Sequence, residues 1–373
     1  MSVSKVLVVG GGITGSVLAL ALAQRGVEVE LAEIRPEWTG LGHGITIQGN
    51  ALAAFSSVGV YEEVAARGVP FDRLRMRNAD GSLIVEVPTP HTGGPDLPPT
   101  LGSLRSSLHD SLARSVREHG VTLRLGTTVA ELDDDGARVA VTFTDGSSGE
   151  YDLVVGADGI RSHMRRLIGI TTEPKSVGMT IWRVLADRPA EMDCAEVYYG
   201  GPHYKAGYSP ISAEQCYAYM LDEDVDTFSF DRPLGAVLRE RSEGYQGTWG
   251  KIREQITAET EVNHTRIEAL LVDDPWYRGR TIIIGDAAHA CPPLIAQGAA
   301  MCAEDAVVLA ELVTGDASVE DALKQFMVRR LPRVRAVVDN SMLLVEWEIH
   351  PDTPGADPAR LMSGTLALLT EPA

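Results

Sequence analysis

The spacing of apolar positions changes period along the chain, and each change marks an element. Val6–Val9 is a short apolar run that breaks at Gly10-Gly11-Gly12. Val17, Leu18, Leu20, Ala21 and Ala23 then follow at helical spacing, and 27–32 forms a second apolar strand ending at Glu33. This predicts a strand, a tight turn, a helix and a strand. Further on, 45–47 reads as a short strand, and Asn50 is placed to N-cap a helix over 51–58. Residues 71–87 alternate as a hairpin turning at Asp80-Gly81. Residues 88–100 hold five prolines and two glycines and therefore form a loop.

Leu104, Leu108, Leu112 and Val116 repeat every four residues and predict a helix over 101–120. A run of short strands over 121–155 turns at Asp133–Gly136 and Asp145-Gly146, and its last strand feeds GADGIRS. The stretch 176–269 has another texture. Its alternating segments MTIWRVLA, EVYYG and QCYAYML read as sheet, interrupted by the polar segment 221–231. An apolar strand returns at 281–284, followed by a turn, a proline-stiffened loop and a helix from about Gly298. A last helix runs from Ala322 through Arg333-Val334-Arg335, before a polar proline-rich stretch at 351–358 and an apolar end. No internal repeat is visible. The pattern is that of a mixed α/β fold with an inserted, mainly antiparallel sheet and C-terminal helices.

The 373 residues are enough for about two domains, and 44% hydrophobic residues make the protein globular. Cys194, Cys216, Cys291 and Cys302 show no C-x-x-C pairing and no metal-ligand spacing. Reduced thiols, a cytoplasmic location and no metal are therefore expected. A net charge of −19 argues against nucleic acid or anionic membranes as partners. Residues 6–23 carry no charge, but three glycines in their midst argue against a signal sequence or a membrane span.

The chemistry begins at Gly10, Gly12 and Gly15, which fit G-x-G-x-x-G. Gly10 allows the turn, Gly12 lets a pyrophosphate approach the backbone, and Gly15 lets helix and strand pack closely. The helix then aims free N–H groups at the phosphates, with Thr14 in its first turn. Glu33, 18 residues after Gly15, can accept hydrogen bonds from ribose hydroxyls. Arg105 is either a solvated arginine or a phosphate or adenine contact. Arg183, among apolar neighbours on its strand, either pairs with a structural carboxylate or meets an anionic ligand in a cavity. Asp158-Gly159 and Gly285-Asp286 occupy turns at strand ends, and Asp286 could bind polyol hydroxyls. Gln297–Ala300 would point free N–H groups at a neighbour. His289 reads as a packing, turn-closing histidine.

Three motifs stand in order: GGGITG with Glu33, GADGIRSHMRR, and GDAAHACPPLIAQGAAMCAEDA. Together they resemble the single-component flavoprotein monooxygenases, the family of para-hydroxybenzoate and salicylate hydroxylases. The resemblance runs from Val3 to about Arg335 and is specific at the motifs. It implies that FAD binds Gly10, Gly12, Thr14, Gly15, Glu33, Arg105, Asp158, Gly285, Asp286, Gly298 and Ala299. It also implies that NADH or NADPH visits the same cleft and reduces FAD, and that a flavin C4a-hydroperoxide hydroxylates a small aromatic or heteroaromatic ring with O2. On this reading 1–71, 101–175 and 270–340 build the FAD-binding domain. Residues 72–100 and 176–269 build the substrate sheet, and 341–373 form a helical tail. The protein would act as a monomer or homodimer.

One departure stands out. The family usually reads Gly-Gln-Gly-Ala-Asn where this sequence has Ala296-Gln297-Gly298-Ala299-Ala300. For the substrate, Arg183 is the first choice as anion anchor, with His203, Tyr208 and Tyr217 as further candidates on the sheet, core packing being the favoured alternative for each tyrosine. Pro292 and Pro293 would wall the ring, and His43 could face it. Competing readings are a flavoenzyme of the same fold that oxygenates or epoxidises a larger natural product, and a non-catalytic FAD-binding module. No W-x-W-x-I-P run supports a halogenase.

Overall fold

The computed structural model describes residues 3–40, 42–224 and 230–373. Its first layer is a six-stranded sheet built on Lys5–Val9, which is buried on both faces and so carries an unbroken apolar run. That strand pairs in parallel with Glu28–Glu33 and with Leu153–Gly156. Thr122–Leu125 extends one edge, and Thr281–Ile283 with Tyr277–Arg278 extends the other. The helix Ile13–Ala23 connects the first two strands.

The second sheet has eight strands. Its centre is Lys175–Asp187, paired antiparallel with Gln215–Glu223 and Val262–Leu271. Lys205–Pro210 and Ala195–Tyr199 follow, and the hairpin Arg73–Asn78/Leu83–Pro88 closes the far edge. The expected turn is there, with Gly81 at φ +91°. Side chains alternate between the two faces. Trp182, Val184, Ala206, Tyr208, Ala218 and Met220 point one way, into a core closed by the helices Leu234–Arg241 and Gly247–Gln255. Ile181, Arg183, Tyr217, Tyr219 and Leu221 point the other way, toward the first layer.

Several elements differ from the sequence pattern. Thr100–Leu104 is a strand, central between Gly44–Gln48 and Val69–Phe71, and the helix starts only at Arg105. Leu101 and Leu104 look helical by spacing, but β pairing on both sides decides the backbone. The helix Gly49–Ser57 is capped by Gln48, so Asn50 is not its N-cap and turns its side chain inward. Leu221–Glu223, expected in a polar interruption, complete a strand, while 225–229 of that segment lie outside the described residues. The last long helix, Val319–Ile349, passes Pro332 and position 340 without a break.

One buried charge cluster ties this architecture together. Asp305, fully buried in the helix Gly298–Val313, accepts from Gly285 N at 3.0 Å, His289 Nε2 at 2.6 Å and Arg330 Nε at 2.7 Å. Its neighbour Glu304 accepts from Arg330 Nη1 at 2.7 Å, Arg333 Nε at 2.9 Å and Asn50 Nδ2 at 2.7 Å. Burial works against both carboxylates, yet Arg330, Arg333 and His289 hold them below the ordinary carboxylate range.

Lowered pKa values mean that the stability these groups confer is present above the ordinary carboxylate pKa of about 4 and disappears as pH falls below it. Breaking a buried pair leaves an uncompensated charge, so Asp305→Asn should cost about 3–5 kcal/mol. Denaturant unfolding at pH 7 and pH 3 checks this, the difference between variant and parent shrinking at the lower pH.

Candidate active site

A cavity of about 750 Å³ opens between the two sheets. Two helices aim their N-terminal ends at it. Gly12, Ile13 and Thr14 line it at the start of Ile13–Ala23, and Gly298 and Ala299 line it at the start of Gly298–Val313. Neither helix has a side-chain cap or an acidic residue in its first turn. The first N–H groups therefore have no intrahelical partner and face the cavity with the positive ends of the helix dipoles.

The glycines divide their work. A Cβ on Gly10 would stand 2.4 Å from Ala157 O, with φ at +109°, and one on Gly15 would stand 1.9 Å from Gly10 O. A Cβ on Gly12 would meet nothing within 4 Å, so that backbone is open to a ligand. Gly15 and Gly285 do not line the cavity but set its frame. Gly285, at φ +61°, leaves no room for a Cβ against Thr14 Oγ1, 2.4 Å away.

Glu33 lines the wall, its Oε2 accepting from Gly11 N at 2.8 Å and its Oε1 from Arg35 N at 3.0 Å. Arg105, as first residue of its helix, lines the cavity beside Gly42. Asp158 also lines it, while its carboxylate accepts from Ser162 Oγ, His163 N and Met164 N at the start of the short helix His163–Leu167, whose N-cap is Ser162. Asp286 reaches the cavity with its pKa raised by burial, and Cys302 Sγ stands 3.4 Å from its Oδ1. Burial also pushes the Cys291 thiol, on the cavity wall, up to about 12.

On the sheet side, Arg183 lines the cavity. Its guanidinium donates to Thr265 Oγ1 at 2.8 Å and Asn263 Oδ1 at 3.2 Å, both neutral, and no carboxylate among the described residues pairs with it. The structural ion pair considered for this arginine is absent among those residues. Tyr217 lies on the same face, packed on Gly44, with its pKa raised by burial against the opposing pull of Arg183. Pro293 lines the cavity, whereas Pro292 is buried behind it. His43 does not line it; its carbonyl accepts from Arg105 N. Two candidates are corrected, Tyr208 by strand alternation and register and His203 by its place in the loop before Lys205–Pro210. Tyr208 points into the core on the far face. His203 stands 2.9 Å from buried Asp222, within reach of Arg241, and away from the cavity. His289 is the turn-closing residue the sequence suggested.

Other participants carried a weaker signal. Gly11, a free position in the motif, has no room for a side chain. Trp38 Nε1 donates to its carbonyl at 2.8 Å, and His109 Nε2 lies 3.1 Å from the same oxygen. Arg35, Arg161, His163 and Arg266 ring the cavity mouth. The acidic pair Glu304-Asp305 inside an apolar helix was the overlooked signal for the network behind it.

This is the geometry of a dinucleotide held by two helix N-termini, and comparison with known proteins agrees. A family model described as an FAD binding domain matches residues 3–341. The chain belongs to the FAD-binding monooxygenase family. It is 31% identical to YetM of Bacillus subtilis over 98% of both proteins. It is also 33% identical to 2-heptyl-3-hydroxy-4(1H)-quinolone synthase of Pseudomonas aeruginosa, over 82% of this protein and 80% of that one. The crystal structure of Klebsiella pneumoniae HpxO complexed with FAD and uric acid superposes with a TM-score of 0.83 at 24% identity, covering 99% of this protein and 97% of the other. That last likeness establishes the shared fold. The protein is thus an FAD-dependent monooxygenase.

The departure from the family motif has a visible consequence in this monooxygenase. Ala296 adopts the left-handed conformation at φ +55°, the one non-glycine with positive φ among the described residues. Alanine there costs about 1 kcal/mol or more. Ala296→Gly should therefore leave the melting temperature unchanged or raise it slightly, and Ala296→Val should lose about 1–3 kcal/mol. Thermal unfolding of both variants checks this.

Proposed function

We propose that this enzyme hydroxylates a small planar aromatic or heteroaromatic substrate with an acidic oxygen, using NADH or NADPH as reductant. The observation that carries the proposal is Arg183. It is a cation on the substrate sheet, it faces the cavity that both helix N-termini address, and it is held only by neutral partners. A charge kept half-buried with neutral neighbours is matched to an anionic ligand. The quinolone named for one relative and the uric acid bound to another are both planar rings carrying oxygen substituents, which supports this class.

The residues present fit FAD. The open backbone at Gly12 and the uncapped N–H groups through Thr14 would hold its pyrophosphate. Glu33, fixed by two backbone donors, would accept from the adenosine ribose. Arg105 and Asp286 would flank the middle of the cofactor, and Gly298 and Ala299 would face the ring, where a helix N-terminus favours negative charge. When bound, FAD supplies the redox and oxygen-activating chemistry. The protein's own residues do the rest. Arg183 orients the ring and stabilises its ionised oxygen, and Tyr217 closes the wall beside it. Pro293 and the apolar side chains Ile45 and Ile267 exclude water. The cations at the mouth, Arg35 and Arg161 among them, would receive the phosphates of the transient nicotinamide cofactor. On this reading 1–71, 101–175 and 270–340 serve the cofactor, and 72–100 and 176–269 serve the substrate.

The deciding experiment is a visible spectrum of the purified protein, followed by NADH and NADPH oxidation with phenolic, pyridine and quinoline acids. A bound-flavin spectrum with one ring compound stimulating oxidation and emerging hydroxylated is the expected result. Glu33→Ala should weaken FAD binding about 10- to 100-fold, the range for losing hydrogen bonds to a charged group. An unchanged flavin content would remove Glu33 from the site. Arg183→Ala should raise the substrate KM about tenfold or more with FAD retained; loss of flavin instead would mark a structural role.

A further inference from the structure

The peptide joining Gly11 to Gly12 lies between two glycines, so no side chain of its own restrains its orientation. A trans peptide directs its C=O and its N–H to opposite sides, and a flip of this unit would exchange them. One side is held. The Gly11 carbonyl accepts from Trp38 Nε1 at 2.8 Å, from His109 Nε2 at 3.1 Å and from Ser16 Oγ at 3.3 Å. Glu33 Oε2 fixes the N–H on the other flank of the residue, accepting from Gly11 N at 2.8 Å. The Gly12 N–H, directed away from the carbonyl's donors, has no acceptor among the described residues, and Gly12 lines the cavity.

Trp38 and His109 both belong to the cavity wall. The Trp38 indole is buried, meets the His109 ring edge-on with centroids 5.7 Å apart, and carries the Arg117 guanidinium 5.0 Å from its centroid. A carbonyl can only accept, so His109 carries its proton on Nε2. Its Nδ1 is then a lone pair, buried without a partner among the described residues, and burial lowers the pKa of the ring and keeps it in this neutral form. Turning the peptide over would strand the indole and imidazole N–H groups and set a carbonyl oxygen against an anionic pyrophosphate. We propose that Trp38 and His109 are positioning residues for the cofactor: by holding the Gly11 carbonyl, they present the Gly12 N–H to the FAD pyrophosphate before FAD binds. A donor set in place beforehand costs no ordering at the moment of binding. The proposal rests on the reading of the glycine turn as the pyrophosphate site. It adds two residues from outside the glycine motif, 27 and 98 positions from Gly11.

The test uses the full-length protein freed of FAD and two probes, ADP and adenosine, which differ by the pyrophosphate and are titrated by calorimetry. The parent should bind ADP about tenfold or more tightly than adenosine, as hydrogen bonds to a charged group give. Trp38→Phe, which keeps an aromatic ring and removes its N–H, should cut that ratio about threefold, the worth of one hydrogen bond. Adding His109→Leu should cut it about tenfold, with the adenosine Kd unchanged. His109→Gln, whose amide keeps a donor for the carbonyl, should hold the parent ratio where His109→Leu loses it. FAD binding, followed by quenching of flavin fluorescence, should weaken by the same factors as ADP binding. Trp38→Phe alone decides if the double variant does not fold. The proposal is overturned if adenosine and ADP weaken together, which would make the two residues a wall for the adenosine, or if His109→Gln behaves as His109→Leu does. If the parent prefers ADP and the variants keep that preference, the pyrophosphate reading of the glycine turn stands and the role of Trp38 and His109 falls. If the parent binds ADP no more tightly than adenosine, that reading falls and the proposal with it.

Discussion

Two adjacent carboxylates on one helix govern the geometry of the whole site. Glu304 and Asp305 are buried, and buried carboxylates remain ionised only when every lone pair finds a donor. About 100° apart around the helix, they demand donors on two sides. Asp305 is met by the Gly285 turn, His289 and Arg330, and Glu304 by Asn50, Arg330 and Arg333. The turn, the Gly49–Ser57 helix and the long helix Val319–Ile349 are thereby fixed to one element, and that element delivers the Gly298 N-terminus to the cavity. The last residues of the protein join the same arrangement, since Arg333 also donates to the carbonyls of Leu368, Leu369 and Glu371.

The second constraint is electrostatic. A protein of net charge −19 has to attract FAD, whose pyrophosphate is anionic. It does so locally, by leaving two helix N-termini uncapped and by placing Arg35, Arg105, Arg161, Arg183 and Arg266 on the cavity wall. Some of these are balanced, as Arg161 is by Glu268 at 2.7 Å. Arg183 is not, and the field is strongest where low dielectric and neutral partners coincide. The global charge sets solubility, and the local field sets what enters.

How much of this was legible in the residues depended on sequence separation. The strand-turn-helix around Gly10 and its acidic partner Glu33 are local, and period and glycine placement were enough to read them. The Asp80-Gly81 hairpin was legible for the same reason. The residues around Arg105 leave open a solvated arginine or a phosphate or adenine contact, and their spacing starts the helix at Leu101 rather than Arg105, because β pairing of Thr100–Leu104 with Gly44–Gln48 is a long-range fact. The Tyr208 candidate failed on parity, and His203 failed because it lies in the loop before the strand Lys205–Pro210, turned toward Asp222. Alternation assigns residues to faces within one strand, but only the register between strands aligns Arg183 with Tyr219 and sends Tyr208 to the opposite side. Asn50 looked like a cap because its true partners, Gln297 and Glu304, lie 247 and 254 residues away.

The strained Ala296 follows from the same arrangement. The backbone must turn sharply after Pro293–Ile295 so that Gln297 enters the interior, fully buried, and Gly298 begins a helix aimed at the cavity. Only the left-handed conformation makes that turn in one residue, and glycine would make it without strain. The Gln297 Oε1 bond from Asn50 at 3.1 Å, backed by Asn50 on Glu304, holds the turn closed. A cost of about 1 kcal/mol is small against a fully paired buried cluster. Alanine is therefore tolerated at this position because the constraint that fixes the helix is stronger than the backbone preference it opposes.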